Sequence, residues 1–98
     1  MRVELVERTG GPERLLCEAE LIFDEPGPLE GLKLVGFSLW RGAGGDIYCT
    51  LPSRAFGAGT ERRFFDYLRP AGSGDDARDD VRRFKAWIID HYNARAAA

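Results

Sequence analysis

Between Arg14 and Phe23 the chain reads RLLCEAELIF, and apolar residues occupy every second position: Leu15, Cys17, Ala19, Leu21 and Phe23. A period of two places all five on one face of a strand and puts Arg14, Glu18 and Glu20 on the other. A helix is the competing assignment. Ile22-Phe23 and the following DEPGP favour a strand closed by a turn. A strand with one apolar and one polar face belongs in an antiparallel sheet that is packed on one side only.

Similar segments surround it. Met1 to Glu7 alternates and precedes a TGGP turn signal. Leu29 to Arg41 reads as a third strand with Val35, Phe37 and Leu39 on one face; Gly31 and Gly36 within it signal a bulge or a close backbone approach. GAGG, residues 42–45, suits a hairpin loop. Asp46 to Leu51 follows as a fourth strand, with Ile47, Cys49 and Leu51 inward and Tyr48 and Thr50 outward. PSRAFGAGTE, residues 52–61, reads as a mobile glycine-containing loop. Arg62 to Arg69 then forms a fifth strand ended by Pro70.

After residue 74 the period changes. Ala77, Val81, Phe84, Ile88 and Tyr92 recur three and four apart, with Trp87 widening the stripe, so residues 75–94 are expected to be an amphipathic helix. Ser73, with Asp76 three residues on, resembles a capping box. Asp75, Asp76, Asp79 and Asp80 load the first turns, where the helix dipole favours anions. The terminal ARAAA reads as a frayed tail. The expected fold is therefore α+β. It is one domain over residues 1–98, with a single antiparallel sheet of about five meandering strands over 1–70 and one C-terminal helix. That helix either packs on a sheet face or reaches a partner.

Composition narrows the chemistry. The 98 residues suffice for one core, and no apolar run approaches the ~20 residues of a membrane span. MRVELVERTG lacks the apolar block of a secretion signal, so a cytoplasmic location is expected. Cys17 and Cys49 fall on inward faces, where thiols behave as small hydrophobes. His91 is the only histidine, which leaves little basis for a metal site. Ser38, Ser53 and Ser73 have no recognisable histidine-plus-acid set, and GAGG lacks the helix that a phosphate loop requires. No catalytic residue, metal or cofactor is expected.

The net charge is −2, and its distribution is uneven. Residues 1–30 carry three arginines against eight acids, whereas residues 31–70 carry six cations against three acids. On the fifth strand a period of two puts Arg63, Phe65, Tyr67 and Arg69 on one face. Phe64 and Leu68, on the other, are expected in the core. Rings that can stack on bases, bracketed by arginines that can bind phosphates, are what a single-strand-binding sheet requires. Arg54 follows a rigid Leu-Pro-Ser corner, Arg62 lies beside Arg63, and Trp40, Arg41 and Tyr48 could extend the surface. The other reading is a second apolar face covered by the helix or by a dimer mate.

LLCEAELIFD, then a strand, then GGDIYCTLPSR, then RRFFDYLRP and a terminal helix resembles the SpoVG family of small bacterial proteins. Ala19, Leu21, Phe23 and Asp24 match that family's first element. Leu51, Pro52, Ser53 and Arg54 match its Met-Pro-Ser-Arg/Lys corner, with Leu51 in place of Met. Phe65, Asp66 and Pro70 match the later strand. The resemblance implies a cytoplasmic DNA- and RNA-binding regulator, usually dimeric, linked to septation and developmental gene control, without a cofactor. The expected phosphate contacts are Arg54, Arg62, Arg63 and Arg69, with Arg41 nearby and Tyr48 or Tyr67 stacking or hydrogen-bonding. Two alternatives stand beside it. One is a protein-interaction module that uses an edge strand or the Trp87 helix face. The other, weaker, is a small-molecule enzyme gathering His91, a cysteine and an acid.

Overall fold

The structure, a computed structural model, describes residues 1–97. Four strands, β1 (Arg2–Val6), β2 (Leu15–Ile22), β3 (Lys33–Arg41) and β4 (Ile47–Thr50), form one antiparallel sheet in chain order. β5 (Ser53–Phe56) and β6 (Arg63–Asp66) form a second, two-stranded sheet, and α1 runs from Asp75 to Ala97. The fold is α+β, as the change of period predicts. The single five-stranded sheet is not what forms. The stretch read as a mobile loop contains β5, and the expected fifth strand pairs with β5 instead of joining the main sheet.

The alternation in β2 holds from Cys17 to Phe23; a bulge between Leu15 and Cys17 puts Leu16, and not Leu15, against the core. Cys17, Ala19 and Leu21 are buried and meet Phe37, Leu39, Cys49, Leu51 and Ile88 of α1 in one core. Phe37 packs against Phe84 at 5.7 Å between ring centroids, and Phe84 against Trp87 at 5.9 Å. The apolar stripe of α1 thus covers one face of the main sheet. Helix and sheet bury each other's apolar side, the usual two-layer solution.

Gly36 does mark a bulge. Ala19 pairs with Phe37, and two residues on Leu21 pairs with Leu34, so β3 carries one extra residue. The extra residue changes the phase of the strand. Leu34 packs on the core, and Val35, expected beside Phe37 and Leu39, is exposed. β3 also starts at Lys33 rather than Leu29, because residues 23–32 close a loop in which the Phe23 N–H donates to the Leu32 carbonyl at 3.0 Å.

α1 begins at Asp75, so Gly74 and not Ser73 holds the position before it, and the Gly74 carbonyl accepts the Ala77 amide at 3.3 Å. The helix continues through Ala94, Arg95 and Ala96 to Ala97, where a frayed tail was expected; Ala98 lies outside the described residues. Arg95 anchors this last turn to the end of β1 through Glu7 at 2.9 Å. Among the described residues no helix is long and apolar enough to cross a membrane.

Candidate functional site

β4 leads into Leu51 and Pro52, both buried. Proline has no N–H and cannot extend the ladder, so the chain turns out of the main sheet here. Two contacts fix the corner. The Pro52 carbonyl accepts the Tyr67 N–H at 2.8 Å, which ties the returning chain to the departing one. Gly36, at φ +105°, lies so close to the proline that a Cβ there would sit 3.1 Å from the Pro52 Cβ. The bulge in β3 thereby seats the base of an arm made of β5 and β6.

At the far end of the arm, Gly57 has φ +80°, and a Cβ would fall 2.6 Å from the Glu61 carbonyl oxygen. Only glycine fits that turn without displacing backbone. A single 3-10 turn, Gly59–Glu61, completes the return. Arg54 then stands opposite Phe65, and Phe56 opposite Arg63.

Period two divides the arm into two faces. One carries Arg54, Phe56, Arg63 and Phe65. Phe56 and Phe65 meet edge to face at 5.0 Å, and the Arg54 guanidinium lies 4.6 Å over the Phe56 ring. Tyr67 and Arg69 join Arg54, Phe56 and Phe65 around a shallow cleft of about 480 Å³, with Asp66 as its one acid. The other face carries Ala55 and Phe64, and the Arg62 guanidinium lies 5.3 Å over the Phe64 ring. None of these rings is in the core: Phe64 and Tyr67 are each 65% exposed, Phe65 49% and Phe56 42%. Phe64, assigned to the core from the sequence, is displaced because β6 never joins the main sheet. Leu68, just past the arm, does pack on the core.

Compared with family models, curated proteins and solved structures, this chain matches none. The site therefore rests on its own geometry.

Of the seven residues singled out from the sequence, Arg54, Tyr67 and Arg69 share the cleft. Arg63 lies on the same face of the arm, further toward the tip. Arg62 serves the opposite face. Arg41 and Tyr48 do not belong to the cleft. Arg41 lies on the face of β3 opposite Trp40, and its guanidinium donates to the Gly45 carbonyl at 3.1 Å, bracing its own hairpin. Tyr48 stacks on Trp40 across the open face of the main sheet at 6.5 Å, with Trp40 Nε1 donating to Thr50 Oγ1 at 2.9 Å. Phe56 is the cleft residue that sequence reasoning passed over. Its signal was the alternation of Arg54-Ala55-Phe56 up to Gly57, hidden in a stretch rich in glycine.

Electrostatically the arm differs from β2 of the main sheet, where carboxylates meet cations. Among the described residues, Arg54, Arg62, Arg63 and Arg69 have no carboxylate within 4.0 Å. In the main sheet Arg8 meets Glu18 at 2.8 Å and Lys33 meets Glu20 at 3.0 Å. The thiols stay protonated at neutral pH: burial pushes Cys49 up to about 11 and raises Cys17 as well. His91 is engaged in its own helix, with Nδ1 2.8 Å from the Trp87 carbonyl and its ring edge-on to Trp87 at 4.8 Å.

Proposed function

We propose that this chain is a nonenzymatic nucleic-acid-binding protein of regulatory type, a divergent relative of the SpoVG family, that holds DNA or RNA on its β5–β6 arm. One observation carries the reading: Arg54, Arg62 and Arg63 on the two-stranded arm and Arg69 just past it have no carboxylate partner among the described residues, and the phenylalanine and tyrosine rings beside them face solvent. Exposed rings offer π-faces to unstacked bases, and free guanidinia offer bidentate donors to phosphate. Arg54 and Arg69 flank the cleft and take the phosphates. Phe65 and Tyr67 take a base. Arg54 spreads over Phe56, so that ring is already covered on one face.

Fluorescence anisotropy with labelled single- and double-stranded oligonucleotides at low salt tests this. The wild type binds, and Arg54→Ala and Arg63→Ala each weaken binding severalfold without changing the circular dichroism spectrum. Absence of binding to both kinds of oligonucleotide at low salt would refute it.

The arm's outer edges favour a second reading. β5 and β6 pair only with each other, and an exposed strand edge is a template for another chain. On this reading the chain is a protein-interaction module, and a homodimer formed edge to edge is its simplest form. Light scattering across micromolar concentrations distinguishes the states. A monomer mass throughout would remove the homodimer from either reading.

A further inference from the structure

The first turns of α1 look acidic in the sequence, yet one side of them is basic. Arg78, Arg82 and Lys85 are spaced four and three apart, so they form one stripe along the helix. Arg78 and Arg82 are exposed, Lys85 is half-buried, and among the described residues none of the three has a carboxylate within 4.0 Å. By contrast, the neighbouring Arg83 is paired with Asp80 at 2.7 Å. Asp75 and Asp79 flank the stripe toward the helix start, while the helical step turns Asp76 and Asp80 to another side. Asp75 and Asp79 stand three residues before Arg78 and Arg82, a spacing that supports the helix, but Lys85 has no acid three or four residues before it.

The stripe is continuous with the arm. Arg78, Arg82 and Lys85 line a cleft of about 460 Å³ together with Pro70, the residue after Arg69. Lys85 also lines the larger groove, about 840 Å³, that runs past Pro52 and Ser53 to Phe64 and Tyr67 at the base of the arm. Tyr67 and Asp66 in turn belong to the cleft that holds Arg54 and Arg69. Three depressions thus share residues end to end, with Arg78 and Arg82 at one end, Arg54 and Arg69 at the other, Lys85 shared by the first two, and Asp66 the one acid lining them.

We propose that a single nucleic-acid strand held on the arm continues along this track onto α1, where Lys85, Arg82 and Arg78 hold its phosphates. The proposal rests on the arm being a nucleic-acid site and extends it to a second binding region on a different element. Phosphates repeat along the strand, so a long polyanion meets both regions and a short one fills only the arm. Along this track the exposed rings lie at the arm and none lines the cleft on α1, so the helix contributes charge alone and is indifferent to base identity.

Strand length separates the two regions. Oligothymidylates of increasing length are titrated against the wild type, Arg78→Ala/Arg82→Ala and Arg54→Ala/Arg69→Ala. The helix variant changes exposed side chains only, so its fold is checked by an unaltered thermal midpoint. It is expected to bind the shortest oligomers as the wild type does and to bind the longest roughly tenfold more weakly. Its log–log salt slope on the long strand falls by about 1.4, at ~0.7 for each phosphate that is no longer neutralised. The arm variant weakens at every length. If the helix variant matches the wild type at all lengths while the arm variant weakens, the track is wrong and the arm reading stands. If the wild type binds no oligomer of any length, both fall.

Discussion

The four-stranded sheet with α1 and the β5–β6 arm draw on the same residue types and use them in opposite ways. On the helix-covered face of the first region aromatic rings are buried: Phe37 is wholly enclosed, and its ring meets Phe84 from the helix, while Tyr48 stays exposed on the open face. Two cations in that region are answered by carboxylates of β2, Lys33 by Glu20 and Arg8 by Glu18. On the arm the rings face water and the guanidinia lie over them instead of meeting carboxylates. The difference follows from layer count. A sheet face covered by a helix can bury rings, whereas an uncovered two-stranded ribbon exposes both faces and is only marginally stable by itself. The arm persists because its base is tied to the body at Pro52. Exposed apolar rings are ordinarily avoided, so their concentration on one element marks a contact surface.

The largest test of this contrast is a pair of phenylalanines. Phe37→Ala should cost about 3–5 kcal/mol, a large share of the ~5–15 kcal/mol available to a domain of this size. Phe64→Ala should stay within about 0.5 kcal/mol. Urea denaturation reads both. Equal losses would place the arm in the core and dissolve the distinction.

Gly57→Ala comes next, at about 1–3 kcal/mol, because its φ is positive and the new Cβ would press on the Glu61 carbonyl. The cost should be local. Hydrogen exchange should speed up at the β5–β6 ladder amides and leave those of β2 and β3 unchanged. Uniform acceleration would mean that arm and body unfold as one unit.

A pH series probes the body alone. Cys49 is raised from its ordinary 9.0 to about 11 by burial. A raised thiol pKa means that the folded state keeps its proton where the unfolded chain releases it. Stability is therefore unaffected below pH 9 and declines as pH climbs from 9 through about 11. The decline is expected to be roughly 1–2 kcal/mol, with solvent screening taken into account. Thermal midpoints of Cys49→Ala should show a shallower decline, the remainder coming from Cys17, which burial raises too. A small change is also expected of Glu7→Gln, which breaks the exposed pair with Arg95 and should cost under about 1 kcal/mol.

The sequence revealed the body more fully than the arm, and the reason is physical. Cys17 to Phe23 alternates because one face of β2 is buried and the other is wet, and that asymmetry is what periodicity detects; at Leu15 the pattern fails, because the bulge before Cys17 brings Leu16 inward instead. The bulge was legible in Gly36, but its effect on Val35 was not, since one inserted residue reverses the facing of the residues beyond it. The arm has no buried face. Phe64 and Phe65 stand side by side with rings outward on both sides, so no polar–apolar alternation separates them, and Phe64 read as core. β5 was obscured by Pro52, Gly57 and Gly59, which mark its ends but looked like a loop. The shared face of Arg63, Phe65, Tyr67 and Arg69 was nonetheless readable from period two, and three of those four line the Arg54 cleft. Arg41 was misplaced because strand position alone did not show that it braces its own hairpin.

The central claim is that the arm, and not the four-stranded sheet, meets a polyanion. The most direct measurement is the salt dependence of single-strand affinity for the wild type, Arg54→Ala/Arg69→Ala and Arg8→Ala. Each phosphate contact contributes ~0.7 to the log–log slope on a single strand. The account predicts that the slope of the arm variant falls by about 1.4 and that Arg8→Ala retains the wild-type slope. An unchanged slope in the arm variant, or an equal fall in Arg8→Ala, would contradict it.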